Sequence, residues 1–308
     1  MKPGLSLEEG RENMVALNLA QKFAVNLAAD VRRCLMEKKC LAFVLGGGRA
    51  RGALQVGALR ALLEAGIVPD LLVGTSIGAV NAVGLGLWGV DLDGVTALEQ
   101  AWQAGVGARL MDPRLSQLTL RTLFYHPDKR TQQRVVNFFA LRGITRDLCF
   151  NQISVVRLGL VGADLESGEP VIYGEDTGDS IVEGLLASIA LPPWFAPIEK
   201  DGQTVVDGGA LSNLPIEPAM KMGATEIIAL DIDTPDNIPG NALAFFQAMG
   251  HYMFALSRRH IHLETALAEA QGVPVYRIEL KVPASIPTWD FRDAQPLIRT
   301  GYEIARES

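Results

Sequence analysis

Leu71-Leu72-Val73-Gly74-Thr75-Ser76-Ile77-Gly78-Ala79-Val80-Asn81-Ala82-Val83 runs from an apolar stretch, through a glycine-flanked serine, into small and apolar residues. The apolar stretch predicts a buried strand and the residues after Ser76 predict a helix. Between them Gly74, Ser76 and Gly78 form a Gly-x-Ser-x-Gly. That pattern makes a sharp strand-to-helix turn and lifts a serine hydroxyl clear of a sheet. The glycines let neighbouring backbone come close. By chance the pattern turns up in roughly one chain of this length in ten, so its surroundings must decide.

Upstream, Leu41-Ala42-Phe43-Val44-Leu45 reads as a second buried strand. It empties into Gly46-Gly47-Gly48-Arg49-Ala50-Arg51-Gly52, after which Val56, Leu59, Leu62 and Leu63 fall at helical spacing and Gly66 marks a stop. A glycine-rich turn ahead of a helix aims backbone N–H groups, aided by the helix dipole, at one point. That point can hold a phosphate, or the oxyanion formed when a serine attacks an ester. A P-loop would close on Gly-Lys-Ser/Thr, whereas this loop closes on Ala-Arg-Gly. A dinucleotide fingerprint would carry glycine at the sixth position from Gly46, where Arg51 stands. It would also end the next strand on an acid, and that strand ends on Gly74-Thr75-Ser76.

A third strand end supplies a base. Thr204-Val205-Val206-Asp207-Gly208-Gly209 is a β-branched run delivering a carboxylate and then two glycines. Alone, Asp-Gly is a common turn signal. Beside the other two strand ends, Asp207 is what a serine nucleophile lacks.

Taken in order, these three segments resemble the patatin-like phospholipase family, whose pattern is a glycine-rich oxyanion loop, a Gly-x-Ser-x-Gly elbow and a late Asp-Gly-Gly or Asp-Gly-Ala. Supporting segments are Gly52-Ala53-Leu54-Gln55-Val56-Gly57, Gly162-Ala163-Asp164-Leu165-Glu166-Ser167-Gly168, Ala187-Ser188-Ile189-Ala190-Leu191-Pro192 and Ser212-Asn213-Leu214-Pro215. The likeness covers Leu41 to Asp233. It implies a three-layer αβα fold with a mostly parallel central sheet. It also implies a Ser76–Asp207 dyad and an oxyanion hole from the amides of Gly46, Gly47, Gly48 and Arg49. Arg51, Gly52, Gly74, Gly78, Gly208 and Gly209 are then motif support. The implied reaction is hydrolysis of lipid carboxyl esters, of phospholipids or lysophospholipids, with no metal and no organic cofactor. Arg49 departs from the family, which usually has glycine there; a positive φ at that position would strain an arginine.

Two other readings stay open on sequence. An α/β-hydrolase would use a Ser–Asp–His triad, and His251, His260 and His262 follow Asp207 in the required order. They lie, however, in a stretch of helical pattern, Ala242 to Ala270, rather than in a loop after a strand; the fourth histidine is His126. Alternatively the chain is a non-catalytic lipid-binding or regulatory module on the same fold, for which Arg49 is the motive.

Composition accommodates an enzyme of this kind. The 308 residues are 48% hydrophobic, enough for a large core. Three segments are expected: an N-terminal helical segment (1–40), the catalytic α/β domain (41–234) and a C-terminal helical region (235–308) serving as lid or packing element. Thr234 to Gly240, rich in Pro and Gly, reads as a linker. Cys34, Cys40 and Cys149 have no metal spacing and suggest reduced thiols. No secretion signal or membrane span is legible, so a cytoplasmic protein is expected. The net charge of −7 disfavours nucleic acid. Peripheral membrane contact remains an option through Leu243 to Leu256, where Phe245, Phe246, Met249, Tyr252 and Met253 recur at helical spacing. Asn13 to Leu35 carries an apolar face too wide to stand exposed; it must dock on the catalytic domain or on a second copy of the chain.

Overall fold

In the computed structural model the described residues are 39–107, 129–192, 195–232, 244–281 and 294–308. The N-terminal helical stretch, His126 and the Thr234–Gly240 linker lie outside them. Eight strands are present among the described residues: β1 (Leu41–Leu45), β2 (Leu71–Thr75), β3 (Arg157–Asp164), β4 (Pro170–Tyr173), β5 (Ile198–Lys200), β6 (Gln203–Asp207), β7 (Glu226–Asp231) and β8 (Val275–Glu279). The helices are α1 (Ala53–Glu64), α2 (Ile77–Trp88), α3 (Leu92–Gly107), α4 (Lys129–Ala140), α5 (Ile181–Ser188), α6 (Ile216–Lys221), α7 (Ala244–Ala270) and α8 (Ala294–Glu307).

The strands form one sheet in the order β5-β6-β3-β2-β1-β7-β8, with β4 also paired to β3. From β3 through β8 the pairing is parallel. Parallel strands are covered on both faces, which is why β1 and β2 read as unbroken apolar runs rather than as alternating ones. Along β1, Phe43 and Leu45 pack with Leu54 and Leu59 of α1, Val83 of α2 and Leu98 of α3. Their neighbours Ala42 and Val44 face the opposite layer, with Ile216 and Ala219 of α6 and Ile261 and Ala268 of α7. The result is three layers, helix on sheet on helix. Each fully buried Leu, Ile or Phe contributes about 1.5–3 kcal/mol relative to exposure.

The long strand β3 sets up the site. Leu160 to Ala163 pair with β4 throughout. The other edge of β3 is therefore shared by two strands in succession. β2 runs parallel and stops at Thr75 opposite Val161; β6 runs antiparallel and stops at Asp207 opposite Gly162. Their C-terminal ends meet head-on, one register step apart. Sequence anticipated a strand that delivers Asp207, but not that the strand would run against the parallel set.

Region 235–308, read from sequence as helical, also supplies β8, paired in parallel to β7. Its pattern is that of an edge strand: Tyr276 is exposed and only Ile278 of its five residues is buried. The short run Val275-Tyr276-Arg277-Ile278-Glu279 therefore carries little apolar signal. α8 places Leu297 and Ile298 in the same core as α1. Along the described part of the amphipathic stretch on α7, Tyr252 and Met253 are exposed. No described helix is long and apolar enough to cross a membrane.

Candidate active site

Ser76 sits at the turn between β2 and α2 with φ 55° and ψ −121°, a conformation that non-glycine residues rarely adopt. The glycines on either side make room for it. A β-carbon at Gly78 would overlap the Leu45 carbonyl of β1, and one at Gly74 would stand 2.5 Å from the Gly78 carbonyl carbon. The Ser76 amide donates to Ser188 Oγ at 2.9 Å, and Ser188 Oγ donates onward to Val161 O at 2.7 Å. This serine on α5 ties the turn back to β3.

The head-on strand ends bring Ser76 Oγ to Asp207 Oδ2, to which it donates at 2.7 Å. The second oxygen, Oδ1, accepts the Gly209 amide at 2.8 Å, so the carboxylate is held at both ends. Asp207 is only 6% exposed. Burial pushes its carboxyl up to about 6; the hydrogen bonds from Ser76 and Gly209 and the charge of Arg49 pull the other way without cancelling it.

The glycine-rich loop lies against this pair, since a β-carbon at Gly47 would stand 3.2 Å from Ser76 Cβ. Its amides are not equivalent. Gly46 N donates to Leu230 O at 3.2 Å and Gly47 N to Asn213 O at 2.9 Å. Two of the four amides expected to face the site are thus engaged by backbone carbonyls in holding the loop. Gly48 N makes no backbone hydrogen bond among the described residues. Arg49 has φ 56°, the positive value its replacement of glycine made a concern. A left-handed residue with a side chain costs about 1–2 kcal/mol. Arg51 is buried in the short 3-10 turn (Arg49–Gly52) that precedes α1 and does not line the pocket described below.

A chain of buried polar side chains fixes the loop from behind. Gln55 Nε2 donates to Gly46 O at 2.8 Å and to Leu230 O at 3.2 Å. Asn81 Nδ2 donates to Gln55 Oε1 and to Gly52 O, both at 2.9 Å, and Trp102 Nε1 donates to Asn81 Oδ1 at 2.8 Å. Gln55 and Asn81 are fully buried, so each of these bonds spares a desolvated group from going unpaired. On the other side Thr75 Oγ1 donates to Ser212 O at 2.9 Å. None of Gln55, Asn81, Trp102, Ser188 or Asn213 was assigned a role from sequence, although Gln55, Asn81, Ser188 and Asn213 lie in segments singled out above.

Ser76, Asp207 and Arg49 open onto a pocket whose wall is overwhelmingly apolar. Val80, Gly84 and Trp88 line it at i, i+4, i+8 along α2, with Leu98 on α3 and Phe138 on α4 across from them. Arg142 reaches its rim, stacked 3.5 Å from the Phe138 ring centroid and donating to Phe138 O at 2.9 Å. His251, His260 and His262 all lie on α7, and none lines this pocket.

Residues 43–220 match the profile of the family described as patatin-like phospholipase. Patatin-like phospholipase domain-containing protein 7 of Mus musculus is 30% identical over 66% of this chain and 14% of its own length. Lysophospholipase NTE1 of Meyerozyma guilliermondii is 27% identical over 89% of this chain and 19% of its own. The chain thus spans less than a fifth of the length of either relative. Among solved structures, VipD from Legionella pneumophila aligns with a TM-score of 0.41 and 15% identity, over 88% of this chain and 66% of that one.

Proposed function

This chain belongs to the patatin-like phospholipase family, and on that premise we propose that it is a serine acyl hydrolase that cleaves the carboxyl esters of phospholipids or lysophospholipids. One observation carries the reading: a serine hydroxyl 2.7 Å from a buried carboxylate at the mouth of an apolar pocket. An acyl chain suits that wall, since each buried methylene contributes about 0.8 kcal/mol while a polar head group would lose its water.

An alkoxide is inaccessible near neutral pH, so Ser76 loses its proton as Oγ attacks the ester carbonyl. Asp207 Oδ2 receives that proton along the existing hydrogen bond. A carboxyl raised to about 6 is a better base than an ordinary aspartate and is still ionised at pH 7. With Gly46 N and Gly47 N engaged, the amide of Gly48 is the loop donor assigned to the tetrahedral oxyanion. One such donor typically contributes about 3–4 kcal/mol. As the C–O bond breaks, Asp207 returns the proton to the leaving alcohol. It then takes a proton from water, whose oxygen attacks the acyl-serine; as the acyl C–Oγ bond breaks, Asp207 passes that proton to Ser76 Oγ, which releases the fatty acid and restores both residues. These steps need no metal or organic cofactor.

The test is incubation with a mixed glycerolipid panel, with and without chelator. Free fatty acid and the deacylated lipid are expected in equal amounts, at rates the chelator leaves unchanged. Release of head groups instead would refute the assignment.

Arg49 has a separate expected effect. Its charge holds the Asp207 carboxyl lower than burial alone would. Arg49→Gln is therefore expected to raise that pKa and to move the acid limb of the kcat/KM profile to higher pH. An unmoved limb would show that the guanidinium does not act on Asp207.

A further inference from the structure

Helix α7 carries a carboxylate that the steps above leave unused. Glu264 is 7% exposed, and its Oε2 accepts the Glu217 amide at 2.8 Å where α6 begins. The segment leading into α6, Ser212-Asn213-Leu214-Pro215, grips the site from three directions. Ser212 N donates to Gly208 O at 2.9 Å, next to Asp207. Ser212 O accepts Thr75 Oγ1 at 2.9 Å, next to Ser76. Asn213 O accepts Gly47 N at 2.9 Å, in the glycine-rich loop. The near end of this segment thus touches every part of the site, while Glu264 fastens its far end.

Keeping an acid there is costly. Burial pushes the Glu264 carboxyl up to about 7, against the pull of the Glu217 amide and the nearby Ser212 hydroxyl. An apolar side chain on α7 would fill the same space without that penalty, but would leave the Glu217 N–H unpaired.

We propose that Glu264 is a positioning residue for the Ser76 site: by anchoring residues 212–217 it holds Gly47 and Thr75 in place beside Ser76. The proposal rests on the acyl-hydrolase reading for its catalytic consequence but not for its geometry. A displacement of the oxyanion loop of the order of an ångström costs about a hundredfold in rate, whereas the pocket that binds the acyl chain is left alone.

The experiment compares Glu264→Met, of similar length but with no acceptor oxygen, with Glu264→Gln, whose carboxamide oxygen still accepts the Glu217 N–H. Two readouts are taken on the full chain: amide hydrogen exchange at Gly47, and hydrolysis of a p-nitrophenyl acyl ester. In Glu264→Met, Gly47 exchange is expected to accelerate about tenfold. Its kcat is expected to fall ten- to a hundredfold with KM within about twofold. Glu264→Gln should restore both values to within about twofold of wild type. Unchanged Gly47 exchange in Glu264→Met, a change in KM alone, or a Gln variant as impaired as the Met variant would each overturn the proposal. A wild-type protein inert toward the ester would instead overturn the acyl-hydrolase reading, and the Gly47 exchange result would still decide the positioning claim.

Discussion

Ser76→Ala is expected to lower ester hydrolysis by at least about a thousandfold and to abolish covalent labelling by a fluorophosphonate. The substitution removes one oxygen and keeps the β-carbon, so the backbone at φ 55° bears the same strain before and after. The Ser188 contact uses the residue 76 amide and is unaffected. Stability should therefore fall by about 1.5–3 kcal/mol, the range for one hydrogen bond to a charged group. The measurement is the labelled peptide identified by mass spectrometry, with thermal unfolding as the control for folding. A second labelled serine, or activity that survives in the variant, would place the nucleophile elsewhere.

Asp207→Asn is expected to be as inactive as Ser76→Ala and more stable than wild type. Asparagine cannot take the Ser76 proton; its amide would donate to Oγ where the carboxylate accepted. Gly209 N still finds an acceptor in the side-chain oxygen. The stability sign follows from linkage. The folded-state carboxyl titrates at about 6, above its ordinary 3.8, so the folded protein binds the proton more tightly than the unfolded chain. Stability from this group is then greatest below the unfolded value and is lost as pH rises through the window from 3.8 to about 6. Above that window wild type carries the full penalty of a buried charge, at most about 3 kcal/mol, which asparagine avoids. Unfolding at pH 5 and pH 8 checks this: the advantage of Asp207→Asn should be larger at pH 8. His251→Ala, His260→Ala and His262→Ala should each keep activity within about twofold, because none of these side chains lines the pocket.

Some of this architecture was legible in the sequence for physical reasons. β1 and β2 are buried on both faces, and such strands announce themselves as apolar runs closed by turn residues. The serine turn was legible because sterics dictate it: with the Leu45 carbonyl so close, position 78 accepts no side chain. β8 was hidden because an exposed edge strand needs few apolar residues. Pairings between distant segments were hidden too. The Ser76 amide meets Ser188 across 112 positions and Gln55 meets Leu230 across 175, and no local pattern encodes such partners. The same holds for the loop amides. Gly46 and Gly47 look like donors to a ligand until β7 and the Asn213 carbonyl are in place to claim them. The antiparallel course of β6 escaped notice because a strand's own residues do not state its direction; only its register on β3 does.

The central claim is that Ser76 is activated by Asp207 with no histidine intervening. Its most direct test is the rate of fluorophosphonate labelling at Ser76 between pH 4.5 and 8, in wild type and in Asp207→Asn. Wild type should show one inflection near 6, labelling faster above it, and the variant should label slowly with no inflection. An inflection that persists in Asp207→Asn, or that vanishes in any of the three α7 histidine variants, would contradict it.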